Sequence, residues 1–128
     1  MSVRKVLLSG ELITAIADPH NMQHQQGAAL YAELLKTYVA GTDRLFALST
    51  DLDQFDKATR RASFSALVVA HVARQHRSAA RKVDALFTPE TALSLVIIAA
   101  EKITAVATLG DQFDALDLEI IKPLQSQQ

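Results

Sequence analysis

A chain of 128 residues, 49% hydrophobic and 21% charged, has the size and composition of one globular domain, which we expect to span residues 1–128. The net charge of -1 excludes a strongly basic or acidic protein, and the absence of cysteine excludes disulfides and thiolate metal sites. No apolar run is long enough to span a bilayer or to serve as a signal peptide, so we expect a cytoplasmic protein without membrane contact.

The first half of the chain alternates short apolar runs with helical patterns. Residues 3–8 end in Val-Leu-Leu, which is typical of a strand buried on both faces. Helical spacing follows at residues 11–17, where Ser9 is the predicted N-cap, and again at His24–Val39. A second short strand is predicted at residues 44–48. This order of strand, helix, helix and strand favours an α/β domain.

The second half continues the alternation. Apolar positions at helical spacing predict a helix over residues 62–81, and residues 52–61 predict a weaker one. The remaining predictions are a third strand at 84–87, a helix from Thr88-Pro89 to Lys102, a fourth strand at 105–107, a helical turn or two at 111–116 and a fifth strand at 118–121. Together these elements predict a three-layer α/β/α sandwich with a mainly parallel five-stranded sheet.

The charges are distributed unevenly along the chain. Residues 57–82, the basic segment, contain no acid, and all fourteen acidic residues lie outside it. Such a segment can contact RNA phosphates or an acidic protein partner, and the alternative is a solvated helix face. Its cations are Lys57, Arg60, Arg61, Arg74, Arg77, Arg81 and Lys82.

Three segments resemble the sequence landmarks of PIN domains. Residues 108–113 read Thr-Leu-Gly-Asp-Gln-Phe and precede Leu-Glu-Ile-Ile at 118–121, which is similar to the family's Thr-x-Asp-x-Asp-Phe signature and its final strand. Residues 6–13 are similar to the family's opening strand and helix, and residues 88–93 to a segment in which the family usually has Asp before Ala. These landmarks cover almost the whole chain in the family's order, so the resemblance implies a PIN-like fold.

The resemblance also implies an activity. PIN domains are, as a family, metal-dependent ribonucleases, many of them the toxin half of a toxin–antitoxin pair, and a tendency to dimerise makes a homodimer the expected assembly. Mg²⁺ or Mn²⁺ ions neutralise the charge that develops on the phosphodiester and activate a water. These hard cations require several carboxylates that converge at one end of the sheet.

Four of those carboxylates are missing here. Ser9 stands where the resemblance places the first Asp, Thr91 replaces the Asp at the head of a later helix, and Gly110 and Gln112 replace two acids of the C-terminal signature. All four replacements are uncharged. They predict a degenerate site without metal or other cofactor, in a fold retained for a purpose other than hydrolysis.

Other acids lie close to the lost positions. Glu11, Glu90 and Asp111 are each within one or two residues of one, and the remaining family acid matches Asp56 or Asp53. A shift of one residue at a helix N-terminus turns a side chain through about 100°, which metal geometry does not tolerate. Acids in the first turn of a helix are stabilised by its dipole, so we expect Glu11 and Glu90 to stabilise helix starts.

Three functions remain open on the sequence. The first is a catalytically degenerate module that binds a protein or RNA, for which the helix with Arg74, Arg77 and Arg81 is the candidate surface. The second is a Mg²⁺- or Mn²⁺-dependent endoribonuclease that uses displaced acids. The third is a structural subunit that oligomerises through apolar helix faces. The acids of the second hypothesis are Glu11, Asp56, Glu90 and Asp111.

Overall fold

Five short strands form one sheet in the computed structural model, which describes residues 3–83 and 87–123. The sheet order is β3-β2-β1-β4-β5, and every neighbouring pair is parallel. The predicted α/β fold with a mainly parallel sheet is therefore confirmed, and the sheet is parallel throughout. The strands are β1 Arg4–Leu8, β2 Asp43–Leu48, β3 Val68–Ala70, β4 Ala105–Ala107 and β5 Glu119–Ile121.

Six helices connect these strands in the described part of the chain. Ser9 accepts a hydrogen bond from the backbone N–H of Leu12 at the start of α1, and Thr88 accepts one from Thr91 at the start of α6, so both predicted N-caps are confirmed. None of the helices is long and apolar enough to cross a membrane. They are α1 Gly10–Ala17, α2 His24–Val39, α3 Ser49–Leu52, α4 Lys57–Phe64, α5 Arg74–Ala80 and α6 Pro89–Glu101.

Two hydrophobic cores cover the two faces of the sheet. Successive side chains of a strand point to opposite faces, so Val6 packs with Leu30 of α2 in one core while its neighbour Leu7 packs with Ile97 of α6 in the other. Val6 and Leu7 are both fully buried. This explains why β1 ends in the uninterrupted apolar run Val-Leu-Leu, and it gives the three layers that the sequence predicted.

The predicted helix over residues 62–81 is wrong. Helix α4 ends at Phe64, the chain then forms β3, and α5 begins only at Arg74. The β-branched pair Val68-Val69 pairs with Phe46 and Ala47 of β2, which supply the hydrogen bonds that a helix would have made internally. A short apolar run has no period that separates strand from helix, so the sequence pattern was ambiguous here.

Two further boundaries differ from the prediction. Residues 84–86 of the third predicted strand lie outside the described residues, and Phe87 is described but is not in a strand. The third strand of the sheet is β3 instead. The predicted helical turns at residues 111–116 are hydrogen-bonded turns, in which the N–H of Asp114 donates to the Asp111 carbonyl and the N–H of Leu116 to the Phe113 carbonyl.

An ion pair joins β1, β2 and α2 at the amino ends of the strands. The Arg4 guanidinium donates to both carboxylate oxygens of Asp43, at 2.9 and 2.7 Å, and the Thr37 hydroxyl donates to the same carboxylate at 2.7 Å. Asp43 is buried, and the hydrogen bonds from Arg4 hold its pKa below the ordinary value of 3.8.

We expect Asp43→Asn to lower the free energy of unfolding by about 2 kcal/mol at neutral pH, because the charge-assisted bonds from Arg4 are lost. The folded-state pKa is depressed, so this stabilisation is present above the unfolded-state value and is lost as the pH falls through the folded-state value. Urea unfolding at neutral and acidic pH measures both effects. Glu119→Gln removes the exposed partner of Arg4 and is the control, and an equal cost for both variants would contradict the prediction.

Candidate functional site

A cleft of about 420 Å³ lies where β1, β2 and β4 end. From β1 the chain continues to β2 and β3 on one side of the sheet, whereas β4 and β5 lie on the other side of β1. The order of the strands therefore reverses between β1 and β4, and open α/β sheets bind ligands at the carboxyl ends of the strands at such a switch point. Five of the polar side chains that line the cleft were candidates from the sequence, namely Ser9, Glu11, Glu90, Thr91 and Gln112. Asp51 also lines the cleft and was not predicted.

Two of the uncharged replacements are occupied by bonds to the helix starts. Ser9 is buried and its hydroxyl oxygen caps α1 through Leu12, at 3.2 Å. Thr91 is also buried, and its hydroxyl is 3.0 Å from the hydroxyl of Thr88, the N-cap of α6. The cleft floor therefore presents hydroxyl groups with internal partners in two of the places where the resemblance implies carboxylates.

Glu11 crosses from α1 to the loop after β4. Its Oε1 accepts hydrogen bonds from the Thr108 hydroxyl at 3.2 Å, from the Leu109 N–H at 3.2 Å and from the Gly110 N–H at 2.6 Å. Glu11 lies in the first turn of α1, as expected. In addition to its place at the helix start, it binds the loop after β4. One carboxylate oxygen is saturated by donors of the protein itself, and it ties together two elements almost a hundred residues apart in sequence.

Gly110 leaves the space that the Glu11 carboxylate occupies. A Cβ atom at this position would lie 3.0 and 3.1 Å from the two oxygens of Glu11 and 2.6 Å from the Gln112 Oε1. The Gln112 side chain is exposed and can turn aside, whereas Glu11 is held by its three donors. Gly110 and Glu11 therefore form a matched pair, because a longer side chain at position 110 would compete with Glu11 for the same volume.

Asp51 also lines the cleft and lies in α3, three residues after the end of β2. Its carboxylate packs against the backbone of Gly10, where a Cβ atom would be only 2.7 Å from Oδ1. Burial raises the pKa of Asp51 to about 6, and the negative charge of Glu90 adds to the increase. Glu90 is exposed in the first turn of α6, where the helix dipole was expected to favour an acid.

The other candidate acids lie outside the cleft. Asp56 is the N-cap of α4 and accepts the Thr59 N–H at 2.8 Å, and Asp53 is exposed and 3.4 Å from Arg60. Asp111 pairs with Lys122 at 2.9 Å. The structure thus brings Glu11 and Glu90 together with Asp51, and it does not bring Asp56, Asp53 or Asp111 to them.

The residues of the cleft do not fit the metal ion that the fold implies. Within residues 3–83 and 87–123, no group of three or more histidine or acidic side chains is placed to hold a cation. Glu11 has one oxygen committed to three donors, and the positions that would complete a ligand set are Ser9, Thr91, Gly110 and Gln112. Hard divalent cations require several carboxylate oxygens that converge on one point, and Glu11, Asp51 and Glu90 line the cleft without forming such a group.

The cations of the basic segment are divided by β3. Arg60 and Arg61 lie on α4, whereas Arg74 and Arg77 lie on α5 and Arg81 is its C-cap. The predicted helix over residues 62–81 is therefore replaced by the end of α4, strand β3 and the short helix α5, so that a strand separates the two groups of cations. A second cavity of about 640 Å³ includes Arg77 and Arg81 and borders the cleft, because Thr50, Asp51 and Glu90 line both. Lys57 begins α4, and Lys82 follows α5.

We expect Asp51→Asn to stabilise the fold by about 2 kcal/mol at about pH 7.5, after allowance for the part of the side chain that solvent reaches. The folded-state pKa is raised from 3.8 to about 6, so the folded protein binds more protons than the unfolded chain between these values. The free energy of unfolding of the natural chain therefore falls as the pH rises through this window.

Urea unfolding at about pH 7.5 and about pH 4 tests this prediction, because the advantage of Asp51→Asn should shrink as both states become protonated. Asp53→Asn, an exposed acid two residues away, is the matched control and should change stability little. A gain that is the same at both pH values would contradict the assigned cause.

Comparison with known proteins supports the architecture. No protein-family model matches this sequence, and no curated protein matches it either. The structure is similar to that of VapC20 from Mycobacterium tuberculosis, a PIN-domain toxin described as cleaving the sarcin–ricin loop, with a TM-score of 0.59 and 13% identity. The match covers 92% of this chain and 99% of VapC20. At this identity the likeness shows the fold alone, and the chain has a PIN-like, VapC-type fold.

Proposed function

We propose that this chain is a PIN-like domain that has lost metal-dependent hydrolysis and acts as a protein-binding module. The observation that carries the proposal is the contact between Glu11 and the loop at Gly110. A carboxylate oxygen that accepts three hydrogen bonds from the protein is stabilised where it is, and a cation would have to displace those donors. Ser9, Glu11 and Thr91 are thus engaged in hydrogen bonds within the protein rather than open to a cation.

The charge of the cleft favours a protein partner over RNA. Asp51 and Glu90 make no ion pair with another described residue, and phosphate groups would be repelled by them in the absence of a cation. Base stacking needs exposed aromatic faces, and Phe113, the aromatic residue that lines the cleft, is buried. The cleft therefore suits side chains of a protein better than a nucleotide strand.

RNA binding without cleavage is the second candidate, because Arg77 and Arg81 border the cleft. Phosphate contacts release counterions, so RNA affinity would fall steeply as salt is raised. A filter-binding or anisotropy titration over a range of salt concentrations separates the two candidates. Protein binding through apolar contacts predicts a weak salt dependence, whereas a steep one with RNA would replace the first candidate by the second.

A cleavage assay tests the loss of hydrolysis. The purified chain incubated with mixed RNA and Mn²⁺ is expected to leave the RNA intact, and Glu11→Ala and Asp51→Asn are expected to behave in the same way. Mn²⁺-dependent cleavage that either substitution abolishes would establish the endoribonuclease alternative with acids in displaced positions. The cleaving activity of VapC20 is accordingly not expected here, and a homodimer and a cytoplasmic location remain predictions for sedimentation and fractionation.

A further inference from the structure

One edge of the sheet is apolar and open. Among residues 3–83 and 87–123, strand β3 has no neighbour beyond it in the sheet, and its first two residues, Val68 and Val69, are 37% and 39% exposed. In the described part of the chain, the backbone groups of β3 form hydrogen bonds with β2 alone. Parallel sheets are normally covered on both faces, and an exposed apolar edge is a template for pairing with another chain.

The opposite edge of the same sheet is protected. Strand β5 begins with Glu119, whose exposed carboxylate is 2.6 Å from Arg4, and Pro123 follows two residues after the strand. Charged side chains and proline are the usual means of preventing pairing at an edge. Strand β3 reads Val-Val-Ala and has neither, so one edge of this sheet is closed to a further strand and the other is available.

The open edge is surrounded by positive charge. A groove of about 560 Å³ beside β3 includes Val69, Arg60, Arg61 and His71. Of the acids that the structure describes, Asp53 alone lines this groove, and its contact with Arg60 is long, at 3.4 Å. Arg61 is exposed and makes no ion pair with another described residue. The β3 edge therefore combines free backbone groups, apolar side chains and unbalanced cations.

We propose that the β3 edge binds an extended acidic segment of a partner protein, which adds to the sheet as a further strand. The backbone groups of β3 pair with the segment, its apolar residues lie on the face of Val68, and its Asp or Glu residues lie on the opposite face, where Val69, Arg60 and Arg61 line one groove. This proposal rests on the proposed protein-binding function and names the chemistry of the partner. The segment that fits best alternates valine-like and acidic residues, since alternate side chains of a strand point to opposite faces.

Two other occupants fit the edge less well. Pairing of β3 with β3 of a second copy would bring Arg60 and Arg61 of both copies together, in a segment that contains no acid to offset them. Single-stranded RNA would find cations there but no exposed aromatic side chain, because Phe64 is buried. An acidic peptide in extended conformation can form hydrogen bonds with the backbone of β3, apolar contacts at its exposed valines and ion pairs with its neighbouring arginines.

Fluorescence anisotropy with a labelled peptide of about eight alternating valine and glutamate residues tests this proposal, with an expected dissociation constant on the order of 10–100 μM. The double variant Arg60→Glu/Arg61→Glu should weaken binding at least about tenfold through charge reversal. Val68→Lys should weaken it to a similar degree although it adds positive charge, because it places a charged side chain against the apolar face of the segment and opposes pairing at the edge. Lys36→Glu, an exposed cation on α2, is the control and should leave the affinity unchanged.

Three results would overturn the proposal. Full affinity in Val68→Lys would mean that the peptide is held by charge alone, and displacement of the peptide by RNA with equal sensitivity to Arg60→Glu/Arg61→Glu would make this an RNA surface. A dimer that Val68→Lys dissociates would make it a contact between copies. Mn²⁺-dependent RNA cleavage would overturn the proposed function while peptide binding persists, so the two failures are distinguishable. Circular dichroism verifies that each variant is folded.

Discussion

Combining Ser9→Asp, Thr91→Asp, Gly110→Asp and Gln112→Asp with Glu11→Ala is expected to raise the affinity for Mn²⁺ about a hundredfold over the natural chain, because each new carboxylate adds a charged oxygen ligand. All four positions line or border the cleft. Removal of the Glu11 side chain is part of the design, since its carboxylate would otherwise lie 3.0 Å from the Cβ atom of residue 110.

The same variant is expected to lose stability without metal and to regain it with Mn²⁺. Four carboxylates gathered beside Asp51 repel one another, and a cation that binds the folded state alone raises the melting temperature with its concentration. The matched control places asparagine at the same four positions, again with Glu11→Ala, which preserves shape and removes charge. Equal Mn²⁺ affinity in the aspartate and asparagine variants, measured by calorimetry, would show that these positions do not form a metal site.

The largest single-residue effect is expected for Gly110→Asp in the presence of Glu11, at about 3 kcal/mol of destabilisation from crowding and like-charge repulsion. The three donors at Thr108, Leu109 and Gly110 hold the Glu11 carboxylate in place, so it cannot withdraw without cost. In the Glu11→Ala background the same substitution should cost about 2 kcal/mol less, because its competitor has gone.

A double-mutant cycle by urea unfolding measures this coupling. Gly110→Asn in both backgrounds is the control that separates shape from charge. If Glu11 and residue 110 compete, the double variant Gly110→Asp/Glu11→Ala should be more stable than the sum of the two single destabilisations predicts. The same difference should be smaller for Gly110→Asn. Additive costs would mean that Glu11 and residue 110 do not compete, and the interpretation of Gly110 as half of a matched pair would fail.

Sequence patterns predicted the parts of the fold that are held by long, regular apolar signals. Local sequence patterns were enough to predict the apolar runs in β1 and β2, the caps of α1 and α6 and the helical period of α2. Strand β3 has no such local pattern, because three residues are too few to show a period and their conformation depends on pairing with the edge of β2. The missed strand is also the one on which the proposed partner surface depends.

The candidate site was predicted in position but not in its connections. The residues that follow β1 and β4 were identified because strand ends of a parallel sheet converge. The bond from Glu11 to Gly110 joins residues far apart in sequence and leaves no local signal. Asp51 was not among the predicted site residues, although its place three residues after the end of a buried strand was the available indication of a cleft position.

Isothermal titration of the natural chain with Mn²⁺ tests the central claim most directly. Glu11 is committed to protein donors, and the four neighbouring positions lack charge, so the titration should show no saturable heat at micromolar concentrations of the cation. The aspartate variant with Glu11→Ala, titrated under the same conditions, should show saturable binding. Saturable micromolar binding by the natural chain would contradict the account, because it would mean that Glu11, Asp51 and Glu90 form a working metal site.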